Sequence, residues 1–300
     1  MPPKIWNIAP EATPEQLAAF DGLPPAVAQV LINRGKADPD AALNWLHADD
    51  WRSGGFDAYS RKAPIEAAVE RLRRAIAGQE QIMVYGDFDA DGVTSTVLMV
   101  QALRALGGKV NAYIPGRVDE GYGVNLESLQ RLKDHGTQVI VTVDCGIRSV
   151  DEVAHGEALG LTMIVTDHHS VGEAHPAAYA LINPKLDDAD YSEPMLAGVG
   201  VAFRLAEMLL AEANASLKPE DLLDLVAIGT VADLAPLSST ENRALGRAGR
   251  KVLQAAGRPG VRAWLQVAAI APGEANASSI GFGLGPRINA AGRLAHAKQA

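Results

Sequence analysis

A single cysteine, Cys145, occurs in 300 residues. No intrachain disulfide can form, and a reducing compartment is the expected setting. Aromatic residues are scarce, at 5%. Trp6, Trp45 and Trp51 read as packing residues rather than as a base-stacking platform. Basic residues are outnumbered, 27 against 36 acids, giving a net charge of −9. That balance argues against whole-surface binding to nucleic acid or anionic membrane, but it leaves room for a local basic track. No uninterrupted apolar run is long enough to cross a membrane. The longest, Leu196 to Ala211, is broken by Arg204 and Glu207. The opening Met1-Pro2-Pro3-Lys4-Ile5-Trp6 has no signal-peptide pattern, so a cytoplasmic protein is expected. Internal repeats and low-complexity tracts are also missing.

What is present is a 48% hydrophobic chain rich in alanine and glycine, suited to an α/β protein with a substantial core. Residues 1–75 read as a helical preface, with helices at Pro14–Phe20, Pro25–Asn33, Ala41–Leu46 and Ile65–Ile76, and a glycine turn at Trp51–Phe56. From Gln81 the pattern changes to apolar runs alternating with helices. Strands are expected at Ile82–Val84, Val110–Ile114, Val139–Val143, Met163–Thr166 and Tyr179–Ile182. Helices are expected from Val93, around Leu126, Leu129 and Leu132, and at Val150–Leu159. This alternation predicts a mostly parallel sheet with helices on both faces, over residues 76–235. The last third reads as helical, at Gly198–Ala213, Asp221–Val231 and Glu241–Ala256. A glycine-rich run follows, Ser278–Leu294, and then an alanine-rich end. Residues 236–300 read as a helical connector, and a longer parent protein is expected.

The chemistry gathers at the strand exits. Asp87, Asp89 and Asp91 alternate in Val84-Tyr85-Gly86-Asp87-Phe88-Asp89-Ala90-Asp91-Gly92. Such carboxylates repel one another unless a cation lies between them. An Asp-rich turn that caps a helix is the plainer alternative. Asp144 follows the third strand, and Asp167-His168-His169 the fourth. In open parallel sheets the carboxyl ends of the strands form the ligand-binding rim, so the topology delivers all these groups to one edge. Asp87, Asp89, Asp144 and His168 form a mixed carboxylate–imidazole set that suits Mn²⁺, with Mg²⁺ or Zn²⁺ possible. Asp144 is the candidate to lie between two ions. Metal binding should fail on acidification, as the acids protonate and His168 becomes cationic.

Other candidates are less specific. Asp233 ends an apolar helix and alone could simply cap a turn. Arg117 lies on the rim and could grip a phosphate, or could pair with Glu120. Gly281–Arg293 offers close backbone approach with Arg287 and Arg293 for an anion, yet it is no Walker loop. Arg243, Arg247 and Arg250 share one helical face and read more readily as a solvated face than as a backbone track. Cys145 reads as a small buried hydrophobe.

Three motifs, Asp87-Phe88-Asp89-Ala90-Asp91-Gly92, Val143-Asp144-Cys145-Gly146 and Asp167-His168-His169, resemble the signatures of the DHH phosphoesterase superfamily. With Glu120-Gly121-Tyr122-Gly123, Ile228–Asp233 and Gly285–Arg293 added, the likeness is to the superfamily's bacterial single-stranded-DNA exonucleases. It runs from about residue 80 to 294. The resemblance implies a 5′→3′ exonuclease of recombination and repair, using two Mn²⁺ or Mg²⁺ ions. It implies Asp87, Asp89, Asp144, His168 and Asp233 as ligands and His169 and Asp91 as catalytic or supporting groups. Arg117, Tyr122, Arg287, Asn289 and Arg293 would contact substrate. The implied partners are single-stranded DNA with a 5′ end and a helicase or single-strand-binding protein, with no membrane. A DHHA1 domain and an OB-type domain would follow in the parent. Other branches, namely nano-RNases, cyclic-dinucleotide phosphodiesterases and pyrophosphatases, resemble His-x-x-x-Asp-x-Asp at the first motif, where this chain has Met83. A non-catalytic replication-scaffold relative is the alternative of another class.

Overall fold

The computed structural model describes residues 5–48, 50–52, 62–117, 120–187, 189, 191, 193–211 and 215–294. The chain forms two compact units, Met1–Ala48 and Asp49–Ala300. In the first, α1 (Pro14–Ala18), α2 (Pro25–Asn33) and α3 (Pro39–Leu46) each start on a proline. That residue's missing N–H has no intrahelical partner to lose there. Their small core is Phe20, Ala28, Leu31, Ala42 and Trp45. Trp6, expected to pack, is 85% exposed, because it precedes α1 in chain without regular structure.

The second unit opens with α4 (Lys62–Ala77), whose Ile65, Val69 and Leu72 are buried. The sheet follows: β1 (Gln81–Tyr85), α5 (Ala90–Ala105), β2 (Lys109–Tyr113), α6 (Leu126–Asp134), β3 (Val139–Val143), α7 (Val150–Ala158), β4 (Thr162–Thr166) and β5 (Ala180–Ile182). Strand order is β2-β1-β3-β4-β5, every pairing parallel. The central strand β3 is Val-Ile-Val-Thr-Val and buried throughout, as a strand covered on both faces requires. With right-handed crossovers, α5 covers one face and α6 and α7 the other. The order reverses between β1 and β3. This is the switch point where a doubly wound sheet opens a crevice at the carboxyl ends of its strands.

Helix α8 (Gly198–Ala211) packs beside α5 against β3 and β4, and α9 (Leu223–Ala232) packs on α5 and α8. Residues 223–230 of α9 are all buried, consistent with a helix that is apolar all round. Next come α10 (Thr240–Ala255), α11 (Pro259–Val267), a π-helical stretch (Ser279–Leu284) and α12 (Gly285–Leu294).

Several expectations shift. Helix α5 starts at Ala90, not Val93, because the Asp89 side chain accepts from the N–H groups of Asp91 and Gly92 and caps it earlier. Helix α11 was not expected at all; Val261 and Leu265, one turn apart, bury its inner face. The glycine-rich run Ser278–Leu294, inside the expected helical connector, is a π-helical stretch running into α12. Ile280, Leu284 and Ile288 recur every four residues and bury against Ala227 and Ile228. The end of the helix from Gly198, the turn through Phe56 and the alanine-rich end lie partly or wholly outside the described residues. No helix among the described residues is long and apolar enough to cross a membrane.

Helices α9 and α10 pack closely at Gly249, where an added Cβ would lie 2.0 Å from the Leu223 carbonyl oxygen and 2.8 Å from Ala227 Cβ. Backbone cannot yield as a side chain does. Gly249→Ala should therefore cost about 1–3 kcal/mol, the usual range for overpacking. It is read as a lower urea midpoint, and an unchanged midpoint would contradict this helix contact.

Candidate metal centre

Each strand exit at the switch point presents an acid. Asp87 follows β1 and is 3% exposed; Asp144 follows β3 and is 1% exposed. Asp144 takes a left-handed backbone, φ 61°, which aspartate tolerates better than most residues but still at a cost. Behind it stands the first residue of α8. A Cβ on Gly198 would fall 2.5 Å from Asp144 Oδ1, so only glycine lets the helix come this near.

Past β4, Asp167 is the organiser. Its Oδ2 accepts from Ile147 N–H at 2.9 Å. Its Oδ1 accepts from His168 N–H at 2.7 Å and His169 N–H at 3.1 Å, and lies 2.8 Å from His169 Nδ1. Asn183 Nδ2 donates to the His169 carbonyl at 2.9 Å. The two imidazoles are thereby aimed at Asp144. His168 Nε2 is 3.1 Å from Asp144 Oδ1, and Nδ1 is 4.0 Å from Asp233 Oδ2. His169 Nδ1 is 3.9 Å from Asp144 Oδ1.

Three groups of donor atoms lie within 4.8 Å of one another: Asp87, Asp89 and Asp144; Asp144, His168 and His169; Asp91, His168 and Asp233. Asp144 belongs to two of them. Three buried atoms here make no hydrogen bond: Asp87 Oδ1, Asp144 Oδ1 and His168 Nε2, the last two 3.1 Å apart but not aligned for one. Buried polar atoms are almost always paired. Three unpaired donors of carboxylate and imidazole type, converging at one place, fit a hard or borderline divalent cation.

Electrostatics agree. Burial, and then the neighbouring Asp89, pushes the Asp87 carboxyl up to about 7. Burial and Asp89 likewise bring Asp233 to about 6. Burial and then Asp91 raise Asp144 well above the usual range. Burial opposes ionisation of Asp167 too, but its bond to His169 and the backbone donors hold it below the ordinary value. That same bond raises His169. Burial and the adjacent His169 hold His168 down at about 4. His168 is thus neutral, as a ligand must be, above about pH 5. Acid would weaken cation binding through the carboxylates rather than through a charged His168, which corrects the expectation from sequence.

The remaining candidates divide. Asp91, expected among the catalytic groups, accepts from Gly198 N–H at 2.7 Å and Val199 N–H at 2.8 Å. It docks the positive end of α8. Asn289, expected at the substrate, accepts from Ala90 N–H at 2.7 Å and holds the start of α5. Glu120 does not pair with Arg117. It binds Tyr113, Ser128, Arg131 and the Gly116 N–H, fastening the loop that carries the rim residues. Arg117 instead lies over the Phe88 ring at 4.7 Å. Phe88 meets Tyr122 edge-on, and the Tyr122 hydroxyl is 3.2 Å from His169 Nδ1. Arg287 is exposed, with Nη1 donating to the Gly283 carbonyl; Arg293 is also exposed. Cys145 is buried beside Tyr85. Sequence reasoning gave no role to Asp167 or Gly198; the acid directly before the paired histidines was the available signal. A cavity of about 440 Å³ opens beside Tyr122 and His169, with Arg148 and Ser149 on its far wall.

The fold and site define a doubly wound α/β protein with a carboxylate–imidazole centre at its switch point. The chain belongs to the DHH family, whose N-terminal domain matches residues 81–230. It is similar to the single-stranded-DNA-specific exonuclease RecJ of Bacillus subtilis, at 43% identity over 276 residues, covering 92% of this chain and 34% of that protein. With RecJ of Escherichia coli the identity is 44% over 252 residues, covering 80% of this chain and 44% of that protein. The chain thus spans less than half of these curated relatives. Among solved structures it resembles an exonuclease RecJ bound to manganese, with a TM-score of 0.72 and 36% identity over 79% of this chain and 59% of that one. RecJ of Thermus thermophilus with Mn²⁺ gives a TM-score of 0.67 and 32% identity over 87% of this chain and 38% of that one.

The raised carboxyls set a pH dependence for the metal-free fold. Asp87 binds its proton more tightly folded, at about 7 against 3.8 for an ordinary aspartate. Its contribution is therefore lost as pH rises through that window. Asp91, Asp144 and Asp233 act in the same sense. His169 and Glu207, also raised, add to that sense, while His168, at about 4 against 6.5, acts in the opposite one. In EDTA the urea midpoint should fall between pH 5 and 7.5, and Asp87→Asn should make that fall shallower. Parallel profiles for the two proteins would contradict the buried, raised Asp87.

Proposed function

We propose that this chain is the nuclease portion of a 5′→3′ exonuclease that hydrolyses single-stranded DNA in recombination and repair. The observation that carries the reading is the convergence of unpaired Asp87, Asp144 and His168 atoms at the switch point. The likeness to single-stranded-DNA-specific exonucleases supplies the substrate. In this reading residues 76–235 are the catalytic domain, 1–75 a preface and 236–300 a connector. The setting is the cytoplasm, and a helicase or single-strand-binding protein presents the strand.

Asp87, Asp89, Asp144, His168 and Asp233 would hold two divalent ions, manganese or magnesium as in the solved relatives; Asp144 belongs to two of the three donor groups. Bound there, such ions polarise a phosphoryl oxygen and acidify a water at neutral pH. The rest falls to the chain's own groups. Asp167 fixes the ring of His169 and raises its affinity for a proton, so that the imidazole faces the scissile phosphate as a hydrogen-bond donor to charge developing on it. Tyr122, against His169, walls the reacting phosphate from solvent on one side. The cavity beyond them gives the end of the strand room. Arg117, exposed at the rim, and Arg287, exposed on α12, grip the 5′-terminal phosphate, which sets polarity. Asp91 and Asn289 act indirectly, one docking α8 and the other α5.

The test uses 5′-labelled and 3′-labelled single-stranded DNA with Mn²⁺, alongside the same sequence as RNA and as duplex. Early release of labelled mononucleotide only from the 5′-labelled single strand is expected. Asp144→Ala should lower the rate by more than the roughly 10–100-fold typical of losing a ligand's orienting partner. Hydrolysis of a cyclic dinucleotide, short RNA or pyrophosphate in place of DNA would overturn this reading.

A further inference from the structure

The cavity beside Tyr122 and His169 is lined by side chains that have no task at the metal centre. It measures about 440 Å³, within the roughly 300–1,000 Å³ of pockets that take one small ligand. Its walls come from the segments that follow β2, β3 and β4 and from the first turn of α7. Among the described residues Arg148 makes one hydrogen bond, from Nε to the Ser170 carbonyl at 2.9 Å. That bond fixes the guanidinium and leaves both Nη groups, which can fork onto a phosphate. Ser149 precedes α7 without capping it, so its hydroxyl is unspent. Glu152, in the first turn of α7, lines the same cavity. Among the described residues its carboxylate has no hydrogen bond or ion pair, Arg148 included. Asp167 also reaches the cavity, but its oxygens already accept from Ile147 and both histidines.

A ligand for this place needs an anion for Arg148 and an N–H for Glu152. A bare phosphate supplies only the first, and the carboxylate repels it. A nucleotide supplies both, because each base carries an N–H on its pairing edge, the edge by which proteins read unstacked bases.

The order of groups along the rim gives the direction of the strand. Arg117 lies over Phe88, and Phe88 meets Tyr122. Tyr122 and His169 line the cavity, whereas Arg117 and Phe88 do not. With the 5′-phosphate at Arg117 and the scissile phosphate at His169, the strand passes next into the cavity.

We infer that this cavity is the subsite for the second nucleotide of a single strand, with its 3′-phosphate on Arg148 and Ser149 and the pairing edge of its base on Glu152. This rests on the nuclease reading above and deepens it. It also gives strand selectivity a physical cause. In a duplex the pairing edge is already occupied, so Glu152 is left without a donor, and a buried acceptor without a partner is costly.

The test reads position without hydrolysis. 5-Iododeoxyuridine is placed at the second or the fourth nucleotide of a 5′-phosphorylated twelve-nucleotide thymidine strand. Each strand is irradiated with the full chain in EDTA, and crosslinked peptides are identified by mass spectrometry. The second position should crosslink to the peptide carrying Tyr122 or to residues 146–152, and the fourth should not. Arg148→Gln should lower that yield by about tenfold, the usual effect of losing a hydrogen bond to a charged group. It should also shrink the log–log salt slope of strand binding by about 0.7. Arg148 is exposed, so this variant tests the site without disturbing the core. Wild type should bind thymidine at the second position more tightly than an abasic unit, and Glu152→Ala should bind the two alike. Crosslinks confined to other peptides, a slope indifferent to Arg148, or no strand binding by wild type would overturn the inference. A slope that depends on Arg148 with no base preference in wild type would leave a phosphate contact only, and overturns the nucleotide subsite as well. Cleavage with Mn²⁺ is scored separately. Crosslinking in the cavity with no cleavage of DNA would count against the nuclease reading and leave this site standing.

Discussion

Like charge held in a buried place is the constraint on which this molecule turns. Carboxylates whose oxygens come within 4.8 Å of one another repel by on the order of 3 kcal/mol per pair at an effective dielectric near 20. The fold tolerates the cluster by raising carboxyl pKa values, by spending the α8 amide groups on Asp91, and by leaving donor atoms on Asp87, Asp144 and His168 open to a cation. Each device costs stability or flexibility in the metal-free chain. A bound divalent ion removes the reason for all of them.

The sheet makes the cluster possible. Asp87 and Asp144 are 57 residues apart, but β1 and β3 are neighbours in register, so their exits coincide. Asp167 enters from β4, the next strand along. Helices α8 and α9 then lower Gly198 and Asp233 onto the rim. The supporting network is polar and local: Asp167 to both histidines, Asn183 to the His169 carbonyl, Glu120 to the loop bearing Arg117 and Tyr122. Geometry of this kind holds side chains in place without help from a ligand, which is what a preorganised binding site needs.

Much of this was legible in the chain itself. Strand β3 is a continuous apolar run and was readable to the residue. The acids at strand exits were readable because parallel topology carries a rule about where ligands bind. Other parts were hidden for physical reasons. Asp89 both alternates with Asp87 and caps α5, and only its backbone conformation reveals the second role. Glycines disguised the helical stretch through Ser279–Leu294, although its buried Ile280, Leu284 and Ile288 keep a helical spacing. The partner of Glu120 depended on which way one loop closes, and the choice of Arg131 over Arg117 is a tertiary outcome. Trp6 stands between Ile5 and Ile8, and all three are exposed, so apolar neighbours alone did not tell packing from exposure. The division of labour among Asp87, Asp91 and Asp167, three similar carboxylates, is set by which backbone N–H groups reach them.

The most direct measurement is the number of Mn²⁺ ions bound per chain at pH 8, read from the free-ion electron paramagnetic resonance signal, for wild type and Asp144→Asn. Two ions per wild-type chain are expected, with both sites weakened together in the variant because Asp144 is shared. Binding of no ion, or of ions indifferent to Asp144, would contradict a metal centre at the switch point.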